Sequence, residues 1–152
     1  MYARLSMDRL EFEALRELSD KAIRGSIRLI QKQATRPLQT AERIRIENSF
    51  GYSLLMNINY NPETGSKGIN VTLAGEGAIC RLDVDGTNHG AAGRSHKHSV
   101  QDEQSVRRSL RDGVVPRSDL NGKSLRDVFR DFCERARIRF EGELEYDEAS
   151  DE

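Results

Sequence analysis

The chain has little of what marks the common catalytic, secreted and membrane classes. Its two cysteines, Cys80 and Cys133, are too few for a disulfide framework, and each sits at an apolar position of its own segment. They read as small buried hydrophobes rather than as a redox pair. No run of 18 apolar residues occurs, which excludes a membrane-spanning helix, and Met1-Tyr-Ala-Arg-Leu-Ser6 contains no signal-peptide hydrophobic region. The expected compartment is therefore the cytoplasm. Walker loop, nucleophile elbow and zinc-finger spacing are all missing. Asp83-x-Asp85-Gly86 begins like a calcium loop, but Arg94 stands where the closing glutamate belongs. Histidine is scarce too, with three copies, and all of them fall between His89 and His98.

What is present is charge. The hydrophobic fraction is 36% and the charged fraction 32% of 152 residues, which allows one domain with a core and much solvated surface. The net charge of -1 hides a segregation. Seven of the 25 acids lie between Glu141 and Glu152, leaving the first 140 residues with 24 basic against 18 acidic side chains. A basic body suits a nucleic acid or an acidic protein surface. The acidic tail reads as solvated and disordered, with folding back over the basic surface as the other option.

Hydrophobic spacing orders the chain. Phe12, Leu15, Leu18, Ala22, Ile23, Ile27 and Ile30 recur every three or four residues, predicting one long helix from Ser6 to about Gln33. Ile44 and Ile46, then Tyr52 to Tyr60, then Ile69 to Leu73, alternate in twos and predict strands. A further strand over 78–85 places Ala78, Cys80, Leu82 and Val84 on one face and Ile79, Arg81, Asp83 and Asp85 on the other. A short helix is expected over Asp102–Leu110. Another helix follows the Ser124 cap, with the stripe Leu125, Val128, Phe129, Phe132 and Ala136, and then comes a final strand.

The expected fold is thus α+β: a long N-terminal helix, an antiparallel meander of about four to six strands, and a C-terminal helix with a final strand. The helices are expected to pack on one sheet face. Residues 1–140 form the single domain, and 141–152 supply the last strand residues and the acidic tail.

Chemistry concentrates in the histidine window. In an extended segment His96 and His98 share a direction, and the glycine-rich stretch before them can bring His89 alongside. One reading is a three-histidine metal site, with Asp83 or Asp85 orienting an imidazole. A second reading needs no metal and no cofactor. RNA carries its own 2′-hydroxyl nucleophile, so a base, an acid and a cation are enough for cleavage. His96 with His98 or His89 would be the acid–base pair, Arg94, Lys97 or Arg81 the cation, and Asp83 the orienting carboxylate. Lys97, Arg43 and Arg45 would contact nucleic acid; Phe50, Tyr52 and Tyr60, at strand spacing, belong either to the core or to a stacking surface beside them. The third reading is a solvated basic loop.

At Arg81-Leu-Asp83-x-x-Gly86-x-x-His89, followed by His96-x-His98, the chain resembles a family of small bacterial and prophage-borne proteins known only as a domain of unknown function. The resemblance runs over residues 40–140 and is specific within 81–98. It implies an N-terminal helix, a meander entering the Arg-Leu-Asp strand, a His-x-His strand and a C-terminal helix. It also implies a place among mobile-element, toxin–antitoxin or phage-conflict genes. The resulting expectation is a mobile-element or defence-associated protein acting on RNA, a small metal-independent ribonuclease toxin. The alternative is a non-enzymatic interaction protein, a phage-encoded inhibitor or antitoxin-like partner, that binds a protein of such a complex through charged surfaces. Neither reading involves a membrane.

Overall fold

Alternation in twos governs more of the chain than helical spacing does. A computed structural model describes residues 7–86, 93–99 and 114–148, and of these 41% are strand and 19% helix. Seven strands form one antiparallel sheet in the order β3-β4-β5-β6-β7-β8-β9. They are β3 (Ile30–Gln31), β4 (Gln39–Ile46), β5 (Leu54–Tyr60), β6 (Lys67–Leu73), β7 (Gly77–Val84), β8 (His96–Ser99) and β9 (Val114–Pro116). In β5, Leu54, Met56, Ile58 and Tyr60 are buried while Leu55, Asn57 and Asn59 are half-buried, so one face of the sheet carries the core.

β7 departs from simple alternation. Val71 pairs with Cys80 and Thr72 with Ala78, so Ile79 is the extra residue of a bulge. Ile79 is buried, not on the outer face beside Arg81 and Asp83 as the alternation predicts.

The long N-terminal helix does not form, and with it goes the expected helical layer over the sheet. Among the described residues there are two α-helices, α1 (Arg9–Glu17) and α2 (Leu125–Arg135). α1 starts behind Asp8, whose carboxylate accepts the Glu11 N–H at 2.8 Å, and stops where Leu18 turns extended. The remainder of the predicted helix is strand: β1 (Lys21–Arg24), β2 (Ile27–Arg28) and β3. Burial explains the error. Leu29, outside the helical stripe, is 1% exposed, whereas Ile30, inside it, is 58% exposed. Ile27 and Leu29 alternate with Arg28 and Ile30, and β-branched isoleucines pack better on a pleated surface than on a helix.

β1 and β2 pair in parallel with β10 (Ile138–Glu141) and β11 (Leu144–Glu145), joining the two ends of the chain. At the junction of the two ladders Gly142 lies against the Gly25 carbonyl and the Ser26 amide, with no room for a Cβ. Acids of the supposed tail meet the basic strip here: Glu141 pairs with Arg24 and Glu145 with Arg28. The Asp147 N–H donates to Gln39 Oε1 at 2.9 Å. α2 opens on Ser124, whose hydroxyl accepts the Asp127 N–H, and its Phe129 ring meets Phe140 edge-on at 5.0 Å. The core is built chiefly from strand residues, to which α1 adds Phe12 and Leu15 and α2 adds Leu125, Val128, Phe129, Phe132 and Cys133. Burial pushes the Cys80 thiol up to about 11 and the Cys133 thiol up to about 12, which keeps both protonated and unreactive near neutral pH. The helix expected over Asp102–Leu110 lies outside the described residues.

Lys21 closes the C-terminus of α1. Its buried ammonium donates to the carbonyls of Leu15, Arg16 and Leu18. Desolvation lowers its pKa from 10.5 to about 8. From about pH 8 to 10.5 the unfolded chain therefore holds a proton that the folded chain has released, and this group adds stability as pH rises. The raised tyrosine and cysteine groups work in the opposite direction, so the comparison must be with Lys21→Met. Urea titrations across this window should show wild type gaining on Lys21→Met by up to about 1.4 kcal/mol per pH unit. A pH-independent difference would show that Lys21 does not titrate there.

Candidate functional site

Cross-strand registry assembles a polar face on the side of the sheet away from the core. Asn59, Gly68, Asp83 and His96 follow one another across β5, β6, β7 and β8, and Asn57, Asn70, Arg81 and His98 form the adjacent row. Asn57 Nδ2 donates to Asn70 Oδ1 at 2.9 Å. The Asn59 side chain lies over Gly68, within 2.8 Å of where a Cβ would stand. Arg81 Nε donates to Asp83 Oδ2 at 3.0 Å, and His96 Nε2 is 3.6 Å from the same oxygen.

Three of the expected catalytic residues, Arg81, Asp83 and His96, therefore stand together, and His98 pairs with Arg81 in the backbone register. Their accessibility differs sharply. Arg81 is exposed and Asp83 half-buried, but the His96 side chain is 1% exposed. Arg94 is exposed two residues before β8, its Nε 3.4 Å from the Gly86 carbonyl. His89 lies outside the described residues.

The expected nucleic-acid contacts do not join this group. Lys97 follows His96 in the strand and so falls on the opposite side, lining a small apolar cavity with Phe12, Leu15, Cys80 and Leu82. Burial lowers its pKa. Arg43 and Arg45 are exposed on β4, three strand spacings from β7, or about 14 Å. Of the aromatics proposed for stacking, Tyr60 is buried against Tyr146, Tyr52 donates its hydroxyl hydrogen to Glu11, and Phe50 is exposed.

Asp85 has a role that spacing did not reveal. At φ 57° it ends β7 in the left-handed region. Its carboxylate accepts the Gly122 N–H at 3.0 Å and the Lys67 ammonium at 2.8 Å, with Lys67 6% and Asp85 11% exposed. Its own N–H donates to Ser95 Oγ, and the Ser95 hydroxyl bonds to Asn121. Arg117 extends the same junction, donating its N–H to the Ser95 carbonyl and its guanidinium to Asp119 and Asp131. Asp85 thus fastens the end of β7 to the start of β8 and to the turn before α2. The Asp-Gly step at 85–86 was the available signal, pointing to a turn rather than to an ion pair with Lys67.

Among the described residues no three of His, Cys, Asp and Glu are placed to hold a metal ion, and no helix is long and apolar enough to cross a membrane. No family model, curated protein or solved structure matches this chain.

Proposed function

We propose that this is a non-enzymatic interaction protein, an inhibitor or antitoxin-like partner of the cytoplasmic mobile-element or defence setting that its resemblance implies. The supporting observation is the burial of His96. An acid–base group has to come within about 2.6–3.2 Å of the proton it transfers, and a side chain that is 1% exposed does not offer this to an RNA strand. Asp83, the carboxylate that would orient it, is also held by Arg81. The pair behaves as a clasp between β7 and β8, leaving arginines and asparagines to face a partner.

The ribonuclease reading keeps one observation in its favour, the contiguity of Arg81, Asp83 and His96 with His98 in register. Two assays separate the readings. Purified protein incubated with end-labelled RNA between pH 5.5 and 8 should leave it intact over hours, and induced expression should not arrest the host. RNA cleavage that disappears in a folded His98→Ala variant would overturn the interaction reading.

A further inference from the structure

The ladder between β3 and β4 is interrupted partway along. Ile30 pairs with Thr40 at one end and Ala22 bridges Glu47 at the other. Between these points β4 has no hydrogen-bonded partner strand on that side among the described residues, because β1 and β2, which flank it across the gap, pair instead with β10 and β11. Two devices hold the gap open. Gly25 kinks the first segment at φ 91°, and a bulge between Ala41 and Ile44 puts Arg43 in the left-handed region at φ 58°. The Arg43 N–H is secured by Asn57 Oδ1 at 3.0 Å, and Asn57 by Asn70. The result is a groove of about 440 Å³ between residues 23–32 and 40–45.

Its charge is one-sided. Arg24, Arg28, Lys32, Arg43 and Arg45 line it, against Glu42 alone. Arg24 pairs with Glu47 and Glu141, Arg28 with Glu145, and Lys32 with Glu42. Arg43 and Arg45 are exposed and have no carboxylate within ion-pair distance among the described residues. Arginines and a bulge on an open edge also discourage pairing with a second copy of the same chain. A segment carrying the opposite charge would not be discouraged.

The geometry points to this groove as the seat of an extended acidic segment of a partner protein, which adds as a strand to the open edge of β4 while its carboxylates meet Arg43 and Arg45. The inference rests on the interaction reading above. A peptide satisfies the unpaired backbone donors and acceptors of an edge, which a phosphate backbone does not. No aromatic ring lines the groove, so it offers no stacking platform for bases. The free edge over residues 41–45 spans about 13 Å, enough for about four extended residues.

The probe is a fluorescein-labelled nine-residue peptide alternating Glu with Val and Thr, titrated against the full chain by fluorescence anisotropy. Arg43→Asn/Arg45→Gln, which keeps a residue tolerant of the left-handed region at the bulge, should weaken binding about tenfold. Arg43→Glu/Arg45→Glu should abolish it, with the thermal midpoint of both variants checked against wild type. N-methylation of alternate peptide amides should weaken binding comparably, and amide exchange over 41–45 should slow in the complex. Absence of binding at millimolar peptide, indifference to charge reversal, or unchanged exchange over 41–45 overturns the inference. So does displacement of the peptide by oligouridylate of equal length, or charge-dependent self-association of the chain. A natural partner whose binding ignores Arg43→Glu/Arg45→Glu sinks this groove alone, whereas His98-dependent RNA cleavage sinks the interaction reading itself.

Discussion

Asp85→Asn is expected to lower the unfolding free energy by about 3–5 kcal/mol, read as a fall in the urea midpoint at unchanged slope. Asparagine tolerates the left-handed backbone at position 85 and can still accept the Gly122 N–H, so the change isolates the charge. What is lost is the counter-ion of a lysine that is 6% exposed. Removing one member of a buried pair leaves the other desolvated and uncompensated, a larger penalty than the pair's own net contribution. The double variant Lys67→Met/Asp85→Asn should therefore recover most of the loss, because methionine fills a similar volume without needing a partner. Additive losses in the double variant would show instead that Lys67 and Asp85 act independently, and that Asp85 matters through Gly122 and Ser95. Since Asp85 fastens β7 to β8, the single variant should also loosen the strand that carries His96 and His98.

The readability of the chain followed the range of the interactions involved. The strand over 54–60 was legible because Leu54, Met56, Ile58 and Tyr60 face one way, and burial on one sheet face imposes that period locally. The segment 18–33 was not, because Ala22, Ile23, Ile27 and Ile30 satisfy helical spacing while the deciding partner, residues 138–145, lies more than a hundred positions away. Gly25 carried the contrary signal, since a glycine at positive φ ends a helix and here turns a strand.

Within the site, placement of Arg81 and Asp83 on the outer face was legible from alternation. The burial of His96 and the isolation of Lys97 on the core side depend on what each strand packs against, which spacing does not encode. The same alternation that puts His96 on one side of β8 sends its neighbour Lys97 to the other, so these two basic residues cannot both serve one substrate. Asn70 and Gly68 complete the polar rows only through registry with β5 and β7.

Gly142→Ala is expected to destabilise by on the order of 3 kcal/mol, for a reason different from that at Gly25. Gly142 is not at positive φ, so alanine suits its backbone. The obstacle is space: an added Cβ would stand 2.6 Å from the Gly25 carbonyl carbon and oxygen and 2.7 Å from the Ser26 nitrogen. All three are backbone atoms of the short link between β1 and β2, which cannot move aside without parting the ladder between 21–28 and 138–145. At Gly25 the relation is reversed, with nothing within 4 Å of an added Cβ but φ at 91°, so Gly25→Ala should cost roughly 1–2 kcal/mol as backbone strain. Gly68→Ala is the control for crowding by side chain. The three atoms nearest its Cβ all belong to the end of the Asn59 side chain, which can rotate away, and the loss should stay within about 1 kcal/mol. The order Gly142 above Gly25 above Gly68, measured by urea denaturation, tests whether the two chain ends are zipped as tightly as the close approach at Gly142 requires. If Gly142→Ala proved as mild as Gly68→Ala, the parallel ladder would have to lie further apart, and the groove beside β4, which exists because β1 and β2 pair away from it, would lose its structural basis.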